Sequence, residues 1–213
     1  AIAGEIGMDP ILENVGTSLY NGTLPGEWAK LAPATRKNLG GWMEHFDRRL
    51  VQYTNWAGSN EPVVIWLSGL HIPETYLAAL VQMACRRNNW PLDKSLTYTE
   101  VSRYSTVEEV EERPDQGCYV EGLFLEGARW SLEDHCLQKS HPKVLIEELP
   151  ILTIIPIESH RLKLQNTVKT PVYITSSRRN AMGEGLVFEA DLRSTEHPSL
   201  WVLQGVCLIL NTD

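Results

Sequence analysis

Between Thr35 and Trp56 the apolar residues Leu39, Trp42, Met43, Phe46, Leu50 and Tyr53 recur at steps of three and four, while Glu44, Asp47 and Arg48 fall off that line. This spacing predicts an amphipathic helix. An earlier helix is predicted from Asp9, a capping residue, through Pro10 at its first position, with Ile11, Leu12, Val15 and Leu19 on one face and Asn21-Gly22 at its end. A short turn of helix is expected after Pro25, around Glu27-Trp28. A third long helix is predicted from Pro73 to about Asn88, with Tyr76, Leu77, Leu80, Val81 and Ala84 sharing a face and Asn88-Asn89-Trp90-Pro91 as the stop.

Beyond Pro91 the period shortens. Leu96–Tyr104, Cys118–Leu125, Val144–Ile146, Leu152–Ile157, Val172–Thr175, Gly185–Phe188 and Trp201–Leu210 are short apolar segments punctuated by Gly, Pro, Asn or charge. They predict strands, and several short strands imply a sandwich or barrel. Helices followed by strands make the class α+β: a helical subdomain over residues 1–91 and a small, incomplete antiparallel β-barrel over 92–213. Val107–Asp115, rich in glutamate, reads as a solvated loop.

Composition narrows the function classes. The chain has 213 residues, enough to remove roughly 70% of the unfolded surface from water on folding. A net charge of −8 lacks the basic face that phosphate backbones or anionic lipid require, so neither nucleic acid nor a membrane surface is an expected partner. No segment approaches the ~18 uninterrupted apolar residues of a membrane-spanning helix. The opening AIAGEIGMDP has no basic region followed by an apolar run and reads as part of a longer polypeptide. Cys85, Cys118, Cys136 and Cys207 are scattered, which predicts reduced, buried thiols. Asn21-Gly22-Thr23 reads as a turn rather than a glycosylation acceptor.

Residues arranged for chemistry are few. A phosphate-binding loop needs Gly-Lys followed by Ser or Thr at a helix start, and the sequence has no Gly-Lys pair. Gly183-Glu184-Gly185 would place a carboxylate where a dinucleotide phosphate should sit. No cofactor is expected. The six histidines form no His-Glu-x-x-His, and the grouping Cys118, His135, Cys136 and His141 has no common zinc spacing. Ser68 lacks the leading glycine of a nucleophile elbow. A hydrolytic or ligand-binding β-domain could use Glu121 or Glu126, although an odd separation would turn them to opposite faces of a regular strand. What remains is aromatic and cationic: Trp66, Trp130, Trp201 and the pair Arg178-Arg179 are residue types favoured at the desolvated centres of interfaces.

Trp66-Leu67-Ser68-Gly69-Leu70 followed by Pro73, and then Gly122-Leu123-Phe124-Leu125-Glu126-Gly127-Ala128-Arg129-Trp130, resemble the C-terminal region of dynein heavy chains. Leu149-Pro150, Pro171 through Ser176 with Arg178, and Trp201 through Val206 resemble it too, in the same order. Ser68, Gly69, Gly122, Glu126, Gly127, Pro171, Tyr173 and Gly205 are the signature positions within these segments. The Gly-Leu-x-Leu-Glu-Gly-Ala segment and the ending Leu210-Asn211-Thr212-Asp213 are more similar to axonemal than to cytoplasmic heavy chains. Leu149–Glu189 is most similar to the two-headed inner-arm type.

The resemblance implies a helical subdomain followed by an incomplete barrel, lying across one face of an AAA+ motor ring in a cilium or flagellum. It implies that ATP sites belong to earlier modules and microtubule contact to a stalk tip. The expected role is therefore noncatalytic and mechanical, with ring modules of the same heavy chain as direct partners and other dynein complex subunits reached through the parent polypeptide. Trp66, Trp130, Arg178, Arg179 and Trp201 are the candidate contacts, and charge reversal at the arginine pair is expected to leave the fold intact.

Overall fold

The computed structural model describes residues 1–31, 35, 37–58, 60–180 and 183–212, with only the backbone described at 179, 180, 183 and 184. Two compact units result, 1–59 and 60–212.

The first unit is helical. Helix α1, Pro10–Tyr20, begins where the Asp9 carboxylate accepts the Leu12 N–H at 2.8 Å. After the single turn α2, Gly26–Ala29, comes α3, Leu39–Gly58, with the Asn38 side-chain oxygen accepting the Gly41 N–H at 2.9 Å. Each of these two long helices starts with N–H groups that lack helical acceptors, and a short polar side chain satisfies one of them. Trp28 stacks on Trp42 and Trp42 on Phe46, with ring centroids 5.9 and 5.2 Å apart. None of the three helices contains a buried residue. The half-buried side of α3 carries Trp42, His45, Arg49, Gln52 and Trp56, whereas Met43, Phe46, Leu50 and Tyr53 are exposed.

The second unit holds the core. Strand β1, Val64–Trp66, runs through a short 3-10 turn to helix α4, Pro73–Asn88, which ends with Asn89 in the left-handed region at φ 57°. The change of period at Pro91 is a change of secondary structure; the division between units falls near residue 59, and α4 packs on the β unit. Strands β2 (Ser95–Val101), β3 (Cys118–Glu121) and β8 (Leu152–Glu158) join β1 in a four-stranded sheet of order β1-β3-β8-β2. A five-stranded sheet of order β12-β9-β13-β4-β7 uses β4 (Phe124–Glu126), β7 (Ile146–Glu148), β9 (Thr167–Thr175), β12 (Leu186–Arg193) and β13 (Cys207–Asn211). Two ribbons, β5 (Arg129–Ser131) with β6 (Cys136–Gln138) and β10 (Arg179–Asn180) with β11 (Gly183–Glu184), complete the pairing. The sheets are mixed, because β1 runs parallel to β3 and β13 parallel to β9. The class is α+β with an unclosed barrel, and the wholly antiparallel pairing expected from sequence is corrected at those two ladders.

Alternation sets the core. Leu152, Ile154 and Pro156 of β8 and Cys118 and Val120 of β3 turn inward, as the period of two requires. With Ile65, Leu67, Leu125, Val172, Leu192, Leu208 and Ile209, each at most 1% exposed, they form the apolar interior.

Two predicted strands divide. Cys118–Leu125 breaks at Gly122, whose φ of 77° sends β4 into the other sheet. Trp201–Leu210 is half helix: His197 caps α5, Pro198–Gln204, Pro198 occupies its first turn, and Gly205 ends it at φ 68° before β13. Proline at the start and glycine just past the end are the signals of a helix, and here they outweigh an apolar run that fits either structure.

Candidate functional site

Signature positions far apart in sequence meet in two clusters. The first surrounds Arg178. This residue closes the turn after β9 in the left-handed region, φ 58°, and its N–H donates to the Thr175 carbonyl at 3.0 Å. The backbone thereby aims the guanidinium across the end of the five-stranded sheet. Its Nη2 donates to Glu126 Oε1 at 3.3 Å and to the Gly205 carbonyl at 3.2 Å, and the group lies 6.0 Å from the Tyr173 ring centroid. One cation thus ties the end of β4, the terminus of α5 and β9. Because α5 ends at Gly205, the contact places positive charge at the C-terminal end of that helix. Burial pushes the nearby Cys207 thiol above its ordinary pKa, with the guanidinium opposing that rise.

Gly127 completes this cluster. At φ 80°, a Cβ there would lie 3.3 Å from the Gln204 carbonyl oxygen and 3.5 Å from Val206. Only glycine combines that backbone with so close an approach.

The second cluster is built on Trp66. Its indole lies against Gly122, where a Cβ would stand 2.6 Å from Cδ1 and 2.7 Å from Nε1. Two residues on, the buried Ser68 hydroxyl donates to Asn211 Oδ1 at 2.8 Å, fastening the turn after β1 to the end of β13. Gly69, in that turn, is also buried. Pro171 sits inside β9 opposite Glu189, where it supplies no N–H to either neighbouring strand, and the β12–β9 register shifts close by, between Leu186 and Phe188.

The five candidate contacts separate. Trp66 and Trp201 are 6% and 1% exposed, so neither ring offers a docking surface; Trp201 donates from Nε1 to Ser194 Oγ at 2.7 Å beneath α5. Trp130 is half-buried, and its Nε1 has no hydrogen-bond acceptor among the described residues. Arg178 retains 43% side-chain exposure while making the internal contacts above. Arg179 belongs to β10 by its backbone, and its side chain lies outside the described residues. Sequence reasoning missed Asn211 as a partner of Ser68, although it stands in the Leu-Asn-Thr-Asp ending.

The alternative carboxylates do not form a pair. Glu121 ends β3 in the four-stranded sheet and lines a cavity of about 420 Å³ with Glu108 and Glu148, whereas Glu126 belongs to the other sheet and pairs with Arg178. Among the described residues no group of three or more His, Cys, Asp or Glu is placed to hold a metal ion. All four cysteines are buried and free, as expected.

Ser68, Glu126 and Gly205 thus join strands and turns through hydrogen bonds, and Gly122 and Gly127 admit close neighbours. Residues 1–210 match the family model of the C-terminal domain of the dynein heavy chain. The protein belongs to that family. It is 62% identical over its whole length to human dynein axonemal heavy chain 10 and 61% identical to the 1-alpha heavy chain of the flagellar inner arm I1 complex of Chlamydomonas reinhardtii. The Chlamydomonas flagellar outer-arm beta chain is 34% identical across 99% of the present sequence. The 213 residues span about 5% of the first two of these relatives. In this dynein C-terminal domain, the two clusters gather most of the positions by which the sequence resembled the family.

Proposed function

We infer that this domain is a noncatalytic brace that packs on the AAA+ ring of its parent heavy chain and biases the ring's nucleotide-driven cycle in ciliary or flagellar beating. The observation that carries this reading is on α3. Its apolar stripe faces outward: Met43 is 38% exposed, Phe46 41%, Leu50 53% and Tyr53 39%. Amphipathic helices of this kind owe most of their stability to packing of the apolar face. The parent polypeptide, some twenty times longer in the relatives, supplies the surface that covers it. Contacts stronger in one ring arrangement than in another shift the balance between them, which is how a module without chemistry regulates a motor.

Location follows from the same reading. The relatives are named axonemal and flagellar, one of them from an inner arm complex, and an axonemal inner-arm setting is proposed for this protein. Candidate contacts are the α3 stripe together with Trp130, Arg178 and Arg179. Other dynein subunits are reached through the parent polypeptide, which is the ATPase in this scheme.

The test uses the intact heavy chain with Phe46→Ser and Leu50→Ser combined. Neither side chain is buried in its own unit, so loss of folding is not the expected effect. Microtubule gliding velocity and microtubule-stimulated ATP turnover should both change while ATP binding persists. Unaltered velocity and turnover would refute the brace, and saturable ATP turnover by the 213 residues alone would refute its noncatalytic character.

A further inference from the structure

The barrel fails to close between β2 and β12, and a cavity of about 350 Å³ lies at that seam. Its wall is rich in donors. Arg103 and Arg193 are both exposed, both line the cavity, and neither has an ion-pair partner among the described residues. His135 and Gln165 line it as well, and so does Trp130, whose indole N–H is buried without an acceptor among the described residues. In a protein of net charge −8, two guanidinium groups in one concavity without an ion pair among the described residues stand out from the general electrostatic balance.

Two carboxylates share the wall and limit what the site accepts. Glu100 is exposed there; the Asp191 side chain is fully buried, with neither oxygen hydrogen-bonded among the described residues and Lys169 Nζ 3.4 Å from Oδ1. Lys169 stands outside the wall, 3.4 Å from Asp191 and 4.0 Å from Glu189, and the wall itself sets two arginines against two acids. The Glu100 and Asp191 charges on the wall oppose a phosphate dianion more than a single negative charge. Guanidinium forks also fit the planar carboxylate in a two-point contact. The volume lies at the lower end of ligand-sized pockets, room for one or two side chains and not for a helix face.

We propose that the seam between β2 and β12 is a receptor for a single glutamate or aspartate side chain presented by a partner polypeptide. Arg103 and Arg193 grip its carboxylate, and a small rotation of Trp130 brings the indole N–H to the same group. The peptide's main-chain N–H groups supply donors on the Glu100 side. This assignment is independent of the ring-bracing role: it concerns the β unit alone and holds whether or not the α3 stripe docks on a ring.

The probe is N-acetyl-Gly-Glu-Gly-amide, titrated into the ¹⁵N-labelled 213-residue protein, with the Trp130 indole N–H resonance assigned through Trp130→Phe. A saturable shift of that resonance and of the Arg103 and Arg193 side-chain resonances is expected, absent with the Gly-Gln-Gly analogue. Arg103→Gln combined with Arg193→Gln should weaken binding by about tenfold or more, the loss of a charge-assisted two-point contact. No saturable shift, or equal shifts with the glutamine analogue, would overturn the proposal. Tighter binding of inorganic phosphate than of the glutamate peptide would overturn it in favour of a phosphate site. Should the double variant not fold, the glutamate and glutamine peptides on the unaltered protein still decide the matter.

Discussion

The Thr99 hydroxyl stands in for a strand at the edge of the barrel: it accepts the Asp191 main-chain N–H at 2.5 Å and donates to the Asp191 carbonyl at 3.3 Å. Both groups would otherwise be paired by a neighbouring β ladder, and β2 and β12 form none. Thr99 is 1% exposed, so water cannot take its place. Thr99→Val keeps the shape and strands a buried donor and acceptor, which should cost about 1–3 kcal/mol. Thr99→Ser keeps the hydroxyl and should cost less. Urea unfolding of the three proteins checks the order, and equal midpoints for Thr and Val would show that the hydroxyl does not hold the seam.

Arg178 is expected to matter for stability. The Glu126 contact is partly exposed, 43% and 31% for the two side chains, and is worth no more than about 1 kcal/mol in such surroundings. The donation to the Gly205 carbonyl adds to this. Arg178→Glu replaces both with repulsion and should destabilise the domain by about 1–3 kcal/mol without unfolding it. Combining it with Glu126→Lys should recover part of the loss. A double-mutant cycle on thermal unfolding measures this, and strict additivity would mean the pair is not coupled.

The elements that sequence revealed are those whose signal is local. α3 and α4 follow from apolar steps of three and four, and β8 from a short run rich in Ile, because such signals need no distant partner. The Arg178 cluster was hidden: Glu126 lies 52 positions away and Gly205 lies 27, and neither composition nor period couples them. Resemblance named Glu126, Tyr173 and Gly205 as signature positions without saying that one guanidinium gathers them. Thr99 and Asp191, 92 positions apart, carried no signal at all. Tryptophan left the choice open for a physical reason, since the same large apolar ring suits a core and an interface; Trp66 and Trp201 are buried in the core.

Gly122 should tolerate no side chain. Alanine there would meet the Trp66 ring at 2.6 Å and hold φ near 77°, so overpacking and backbone strain add. Together they should cost about 2–5 kcal/mol. Gly127→Ala, whose Cβ would find its nearest neighbour at 3.3 Å, shares the strain with less crowding and should cost less. Thermal unfolding distinguishes the two. If Gly122→Ala were the milder change, the packing of Trp66 on this turn would not be what fixes glycine there.

The Tyr76–Glu61–Cys118 cluster should make the β unit sensitive to alkali. The Tyr76 hydroxyl donates to Glu61 Oε1 at 2.6 Å, and Arg113 pairs with Glu61 Oε2 at 2.6 Å. Burial, the largest cause, pushes the Cys118 thiol up from 9.0 to about 12, against a lowering hydrogen bond with Tyr76; burial also raises the Tyr76 phenol. The folded protein therefore keeps protons that the unfolded polypeptide releases, and stability present below pH 9 is lost as pH rises from 9 towards 12. For one such group the slope is about 1.4 kcal/mol per pH unit once the unfolded thiol is ionised. Cys118→Val removes the thiol's share of that slope, leaving Tyr76 to act at higher pH. Urea midpoints measured under reducing conditions between pH 7 and pH 10.5 should fall more steeply above pH 9 for the native protein than for Cys118→Val. Parallel profiles would mean that the thiol is not held protonated by its burial in β3.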